Sequence, residues 1–202
     1  MAGCPEAGIG NLVYDPLALT KIHQLAADQP YLIHLLCRVL VDHCNERRKN
    51  YATVNDVNLV LNEVLRSGTS HFGWLWDKIE EPARQRLLQV IAEETKDEGR
   101  QLSLDDIRNL YRRYHFPYNH AEVLVALKAL LAEEVVEASE SIHQERSFDD
   151  AFYRVPIGLL RQWLKREKPL VAMQSELERS RPGGGIASSV PIGRAGTHPA
   201  GV

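Results

Sequence analysis

Asp28-Gln29-Pro30-Tyr31-Leu32-Ile33-His34-Leu35-Leu36-Cys37-Arg38-Val39-Leu40-Val41 is the stretch whose reading decides the fold. Proline opens a long apolar helix here, at the first helical position, where its missing N–H would have no intrahelical partner in any case. Leu32, Leu36, Val39, Leu40 and His43 recur at helical spacing, and Leu35 and Val41 widen the apolar face beyond a single stripe. A helix this apolar needs neighbours on more than one side, so it reads as the central helix of a small bundle. Arg47, Arg48 and Lys49 suit the negative end of its dipole and set its end near Arg48.

Upstream, residues 1–13 are rich in Gly and Ala and are expected to be poorly ordered. Asp15-Pro16 then combines an N-cap with a first-turn proline. The helix it opens, with Leu17, Ile22 and Leu25 inward, should stop near Asp28 because Pro30 disfavours helix at Gln29. Downstream, Tyr51-Ala52-Thr53-Val54 reads as an extended link, and Asn55 as the cap of a helix carrying Val57, Val60, Leu61, Val64 and Leu65. Ser67-Gly68 ends that helix. Residues 14–79 thus form a helical bundle, closed by the aromatic block Phe72, Trp74 and Trp76. That block reads either as a joint packed on two subdomains or as three aromatics completing one core.

From residue 80 to 168 the pattern changes. Pro82 opens a helix with Leu87, Leu88, Val90 and Ile91, and Leu102-Ser103-Leu104-Asp105-Asp106-Ile107 sets an extended touch and a Ser or Asp cap before a second. Phe116-Pro117-Tyr118-Asn119 makes a turn into a third helix, Asn119 to Glu134. Val135–Ala138 and Ala151–Val155 read as two strands joined by a charged loop. Three helices followed by a hairpin describe a winged helix, closed by a last helix from Ile157 to Lys168. Residues 169–180 extend it, and nine of the 22 residues from 181 to 202 are Gly or Pro, a composition that predicts disorder. The fold class is mainly α: a helical bundle, a winged-helix domain with a short β-hairpin, and a disordered tail.

Apolar content of 44% and charged content of 25% are ordinary for a soluble globular chain. The net charge of −3 includes two arginines and no acids after residue 180, so the first 180 residues stand at −5. Nothing there marks a general polyanion binder. Three cysteines without repeated spacing argue against a disulfide framework. No apolar run approaches the roughly 20 residues a membrane span needs, and the start lacks the pattern of a signal peptide. The expectation is a cytoplasmic protein without membrane partners.

No glycine is followed by lysine, so the phosphate-cradling P-loop is absent from this sequence. His34 and Cys37 are helical neighbours, but His43 and Cys44 lie two turns on, too far to complete a tetrahedral metal site. Gly-x-Ser-x-Gly and His-Glu-x-x-His are both missing, so no catalytic residues are assigned. For DNA contact the candidates are Arg108, Arg112 and Arg113 on the second helix of the winged unit, joined by Arg100, and Lys128 on the third. Against them stand three glutamates on the third helix, and Glu140, Glu145, Asp149 and Asp150 opposite Arg146 in the hairpin loop.

Asp28 to Cys37 also resembles the G-x-P-Y-hydrophobic-x-Q-hydrophobic-x-C segment in the helical lid of AAA-like and STAND-class bacterial ATPases. It departs at Asp28, where the family often has Gly, and at His34, where it often has Gln. The likeness continues through Tyr51–Val57, Ser70–Trp76 and Val155–Leu164, and spans roughly residues 11 to 177. It implies that Pro30 and Tyr31 border the adenine side of a nucleotide held mainly by an ATPase core that this sequence lacks. ATP and magnesium are then expected only together with that core, supplied upstream or by another polypeptide.

Two functions follow. The favoured one is a non-catalytic lid plus winged-helix module of an AAA/STAND-like ATPase, sensing nucleotide and docking domains by protein contact. The alternative is a winged-helix DNA-binding transcription regulator.

Overall fold

The computed structural model describes residues 12–95, 100–139, 148 and 151–180. The disorder expected for 1–11 and for the tail from 181 concerns residues outside that set, as do the hairpin-loop charges Glu140, Glu145, Arg146, Asp149 and Asp150. Within it the chain is mainly helical, with a few short strands.

Helix α1, Pro16–Ala26, starts where Asp15 Oδ1 accepts the Leu17 N–H at 3.1 Å. It ends in two consecutive left-handed residues, Ala27 at φ 47° and Asp28 at φ 57°. Asp28 tolerates this region better than most residues, because its short polar side chain bonds locally. Gln29 then turns extended, as the following proline requires. Helix α2, Pro30–Glu46, buries Leu32, Leu36, Cys37, Leu40 and Cys44 completely, and packs on α1 and on α3, Val54–Ser67. It stops two residues before Arg48, which itself takes a left-handed φ of 54°. Cys44 is a buried free thiol.

Two local expectations change around α3. Its cap is Thr53, not Asn55: Thr53 Oγ1 accepts the Asp56 N–H, and Asp56 Oδ2 accepts the Thr53 N–H at 3.0 Å. This reciprocal box ties down two otherwise orphaned donors, which a cap at Asn55 would leave open. Lys49 Nζ donates to the other Asp56 oxygen at 2.7 Å, so the carboxylate also clamps the end of α2 to the start of α3. The second change is at the N-terminal boundary. Val13–Tyr14 (β1) lies in parallel register with Tyr51–Ala52 (β2), so Val13 is a strand residue.

Helix α4, Thr69–Lys78, carries the aromatic block, and α5, Pro82–Glu94, begins the next stretch. Leu102 forms a bridge to Tyr153, and Ser103 caps α6, Leu104–Arg113, in a second reciprocal box with Asp106. Asn119 caps α7, His120–Ala132. Glu137–Ala138 (β3) pairs antiparallel with Tyr153–Arg154 (β4). Helices α8, Gly158–Glu167, and α9, Leu170–Ser180, follow. The buried core is continuous from Ala18 to Leu170. What makes it so is α8, which packs on α1, α3 and α4 on one side and on α5 on the other.

Candidate functional site

Pro30 places Tyr31 in the first turn of α2, where the helix has just emerged from the left-handed turn and the side chain points outward. Half of Tyr31 is exposed (51%), and its ring lies 4.5 Å from that of His71 on α4. His71 in turn stacks on Trp74 at 6.5 Å, and Lys78 Nζ sits 5.7 Å from the Trp74 ring. The four residues make an open aromatic row with one cation at its end. Helical spacing explains the α4 part, since His71, Trp74 and Lys78 follow at three and four residues. The row can stack against a planar ring or receive an apolar side chain. Burial lowers the His71 pKa, which favours a neutral imidazole. Its buried Nε2 has no hydrogen-bond partner among the described residues.

The three aromatics read as a joint separate here. Phe72 is fully buried and Trp76 is 8% exposed, but Trp74 is 59% exposed and belongs to the row just described. The reason is that 72 and 76 share one helix face, while 74 points the other way. Phe72 meets Trp163 of α8, with ring centroids 5.9 Å apart. A second contact on α8 is closer still: a Cβ at Gly158 would lie 3.0 Å from Leu25 Cα and 3.1 Å from the Gln24 carbonyl oxygen. Any side chain at 158 would require these backbones to move apart by a few tenths of an ångström. Sequence reasoning missed His71 and Gly158 as contact residues, although Gly158 after Pro156-Ile157 was a visible signal for close backbone approach.

The arginines proposed for DNA are largely engaged within the chain. Arg108 Nη1 donates to Asp105 Oδ1 at 3.0 Å, and its guanidinium lies over the Tyr118 ring. Arg113 Nη1 reaches Glu94 Oε1 at 3.4 Å, and Arg100 lies 3.6 Å from the other Glu94 oxygen. Tyr114 also donates its hydroxyl to Glu94, and burial, then this carboxylate, raises the Tyr114 pKa. Arg112 is exposed, and Lys128 lies over the Phe148 ring at 5.0 Å. The exposed positions of α7 are His120, Ala121, Glu122, Val125, Lys128 and Ala132, a surface poor in groups that read base edges.

Comparison of the chain with family models, with curated proteins and with solved structures found no match. Among the described residues no helix is long and apolar enough to cross a membrane.

Proposed function

We propose that this chain is a non-catalytic nucleotide-sensing and docking module of an AAA/STAND-like ATPase, working by contact with an ATPase core. The observation that carries the reading is the exposed row Tyr31–His71–Trp74 beside Pro30. Tyrosine and tryptophan are enriched among residues that dominate protein interfaces, and leaving two of them half in water has a purpose if a partner covers them. Pro30 and Tyr31 are also the residues that the lid resemblance sets at the adenine side of a nucleotide. The α5–Leu102–α6–α7–β3–β4 order, with Leu102 bridging to β4, supports a winged helix as the second unit.

The row would then face the core, and α8 would carry any displacement of the lid-like bundle to the winged unit. With no P-loop in the chain, nucleotide affinity should come from the core. Calorimetric titration with Mg-ATP tests this: heats no larger than those of dilution are expected. Micromolar, magnesium-dependent binding by the chain alone would refute the reading. A P-loop encoded upstream of Met1 or in a neighbouring frame would support it.

The winged element order also favours a second reading, the DNA-binding regulator, with Arg108, Arg112, Arg113 and Lys128 as contacts. The internal pairing of Arg108 and Arg113 and the single lysine on the exposed face of α7 weigh against it.

A further inference from the structure

His43 stands in the last turn of α2, its side chain only 11% exposed, between two groups of opposite charge. Arg47 Nη1, one turn along the chain, lies 3.0 Å from its Nδ1. Asp56 Oδ1, at the start of α3, lies 3.5 Å from its Nε2. A guanidinium can only donate hydrogen bonds, so the Nδ1 that meets it must be the bare nitrogen. The single proton of the neutral ring therefore sits on Nε2 and faces the Asp56 carboxylate.

The surrounding charges are fixed while a histidine titrates. Burial would raise the Asp56 pKa, but hydrogen bonds from Lys49 and Thr53 outweigh it, so this carboxylate stays ionised between pH 5 and 8. Lys49 Nζ shares Asp56 Oδ1 at 2.7 Å. Burial raises the pKa of the Cys44 thiol and of the Tyr14 hydroxyl on β1, so both stay neutral over the same range. Arg38, Asp42 and Glu46 of α2 and Glu63 of α3 line the groove of about 500 Å³ beside His43, and Glu63 is paired with Arg66. Among the described residues the Arg47 guanidinium makes no ion pair with a carboxylate, so the imidazole is what holds it. His43 Nε2 is buried without a hydrogen bond to a described residue, at a distance from Asp56 that leaves room to close.

We infer that His43 is a pH-operated latch on Arg47. In the neutral ring Nδ1 accepts from the guanidinium and folds the Arg47 side chain back along α2. A proton taken from solvent at Nδ1 turns that acceptor into a donor and sets two cations side by side, so the bond is lost and Arg47 is released from the helix surface. The imidazolium keeps its place because its other N–H closes on Asp56. The released group is the last cation of α2 before the Lys49–Asp56 clamp, which itself does not titrate in this range. This inference does not depend on the ATPase reading, and the aromatic row is not part of it.

The test uses the isotopically labelled full chain at about pH 8 and about pH 5, on either side of the ordinary histidine range. Two-bond proton–nitrogen correlation of the imidazoles reads the tautomer, and carbon relaxation of the Arg47 Cδ methylene reads the mobility of the guanidinium arm. At the higher pH His43 should be the Nε2–H tautomer and Arg47 Cδ should be ordered. At the lower pH both ring nitrogens should carry protons, and the order of Arg47 Cδ should fall to that of the exposed Arg38. His43→Gln supplies an amide oxygen that accepts from Arg47 and does not titrate, so in that variant Arg47 should stay ordered at both pH values. Should the variant not fold, the two wild-type readouts still decide. An Nδ1–H tautomer at the higher pH, a ring still neutral at the lower, or Arg47 equally mobile at both would overturn the latch. Release of Arg47 by acid in folded His43→Gln would overturn it as well, because another group would then be the sensor.

Discussion

Gly158→Ala and Gly73→Ala are the same chemical change with opposite expected outcomes. A Cβ at position 158 would stand 3.0 Å from Leu25 Cα and 3.1 Å from the Gln24 carbonyl oxygen, both backbone atoms that move only with helix α1. Inserting a methyl into such a contact costs about 1–3 kcal/mol, because the seam between α1 and α8 must widen. Taking about 2 kcal/mol, and about 2–4 °C per kcal/mol for a chain of this size, the melting midpoint should fall by about 4–8 °C. Position 73 lies inside α4, and a Cβ there meets nothing among the described residues within 4 Å. Alanine at that point removes only the entropic penalty of glycine, so a gain of about 0.5–1 kcal/mol is expected. Circular dichroism melts of both variants, with urea denaturation for the free energies, read the two signs side by side. If Gly158→Ala melts at or above the wild type, the close approach of α8 to α1 does not hold the structure and the reasoning fails. A comparable loss from Gly73→Ala would refute it equally.

Three further outcomes follow from the same contacts. Trp76→Ala should cost about 3 kcal/mol or more, whereas Trp74→Ala should stay within about 0.5 kcal/mol because its ring is mostly in water; equal losses in urea titrations would contradict the described faces of α4. Burial would raise the Asp56 pKa, but hydrogen bonds from Lys49 and Thr53 outweigh it and hold the carboxyl well below the usual carboxylate range. A depressed folded pKa stabilises fully above the unfolded value, about 3.9, and that contribution is lost as pH falls further. Asp56→Asn should therefore cost about 2–3 kcal/mol at neutral pH and flatten the acid limb of a stability–pH curve, and an unaltered limb would show that another group sets it. In fluorescence anisotropy, duplex DNA should bind no tighter than about micromolar at physiological salt, the ordinary nonspecific level. Nanomolar, sequence-selective binding lost on changing Lys128 would instead favour the regulator.

Local chemistry was legible in the sequence wherever one residue type carries one physical role. Pro16, Pro30 and Pro82 open helices as their missing N–H predicts, Asp15 and Ser103 cap as read, and the apolar periodicity of α2 and α3 finds the core. Thr53 was missed because Asn55 is an equally good cap by type, and only the return bond from Asp56 decides between them. The aromatic block shows the limit more sharply. Phe72, Trp74 and Trp76 are alike in composition, and both readings of the block packed all three, yet their sorting into two buried rings and one exposed depends on the helix that runs through them. The pairing of Tyr31 with His71 and the approach of Gly158 to Leu25 both join residues far apart in the chain. Periodicity reports which face of an element is apolar. It carries no information on which neighbour covers that face, and that choice belongs to tertiary packing.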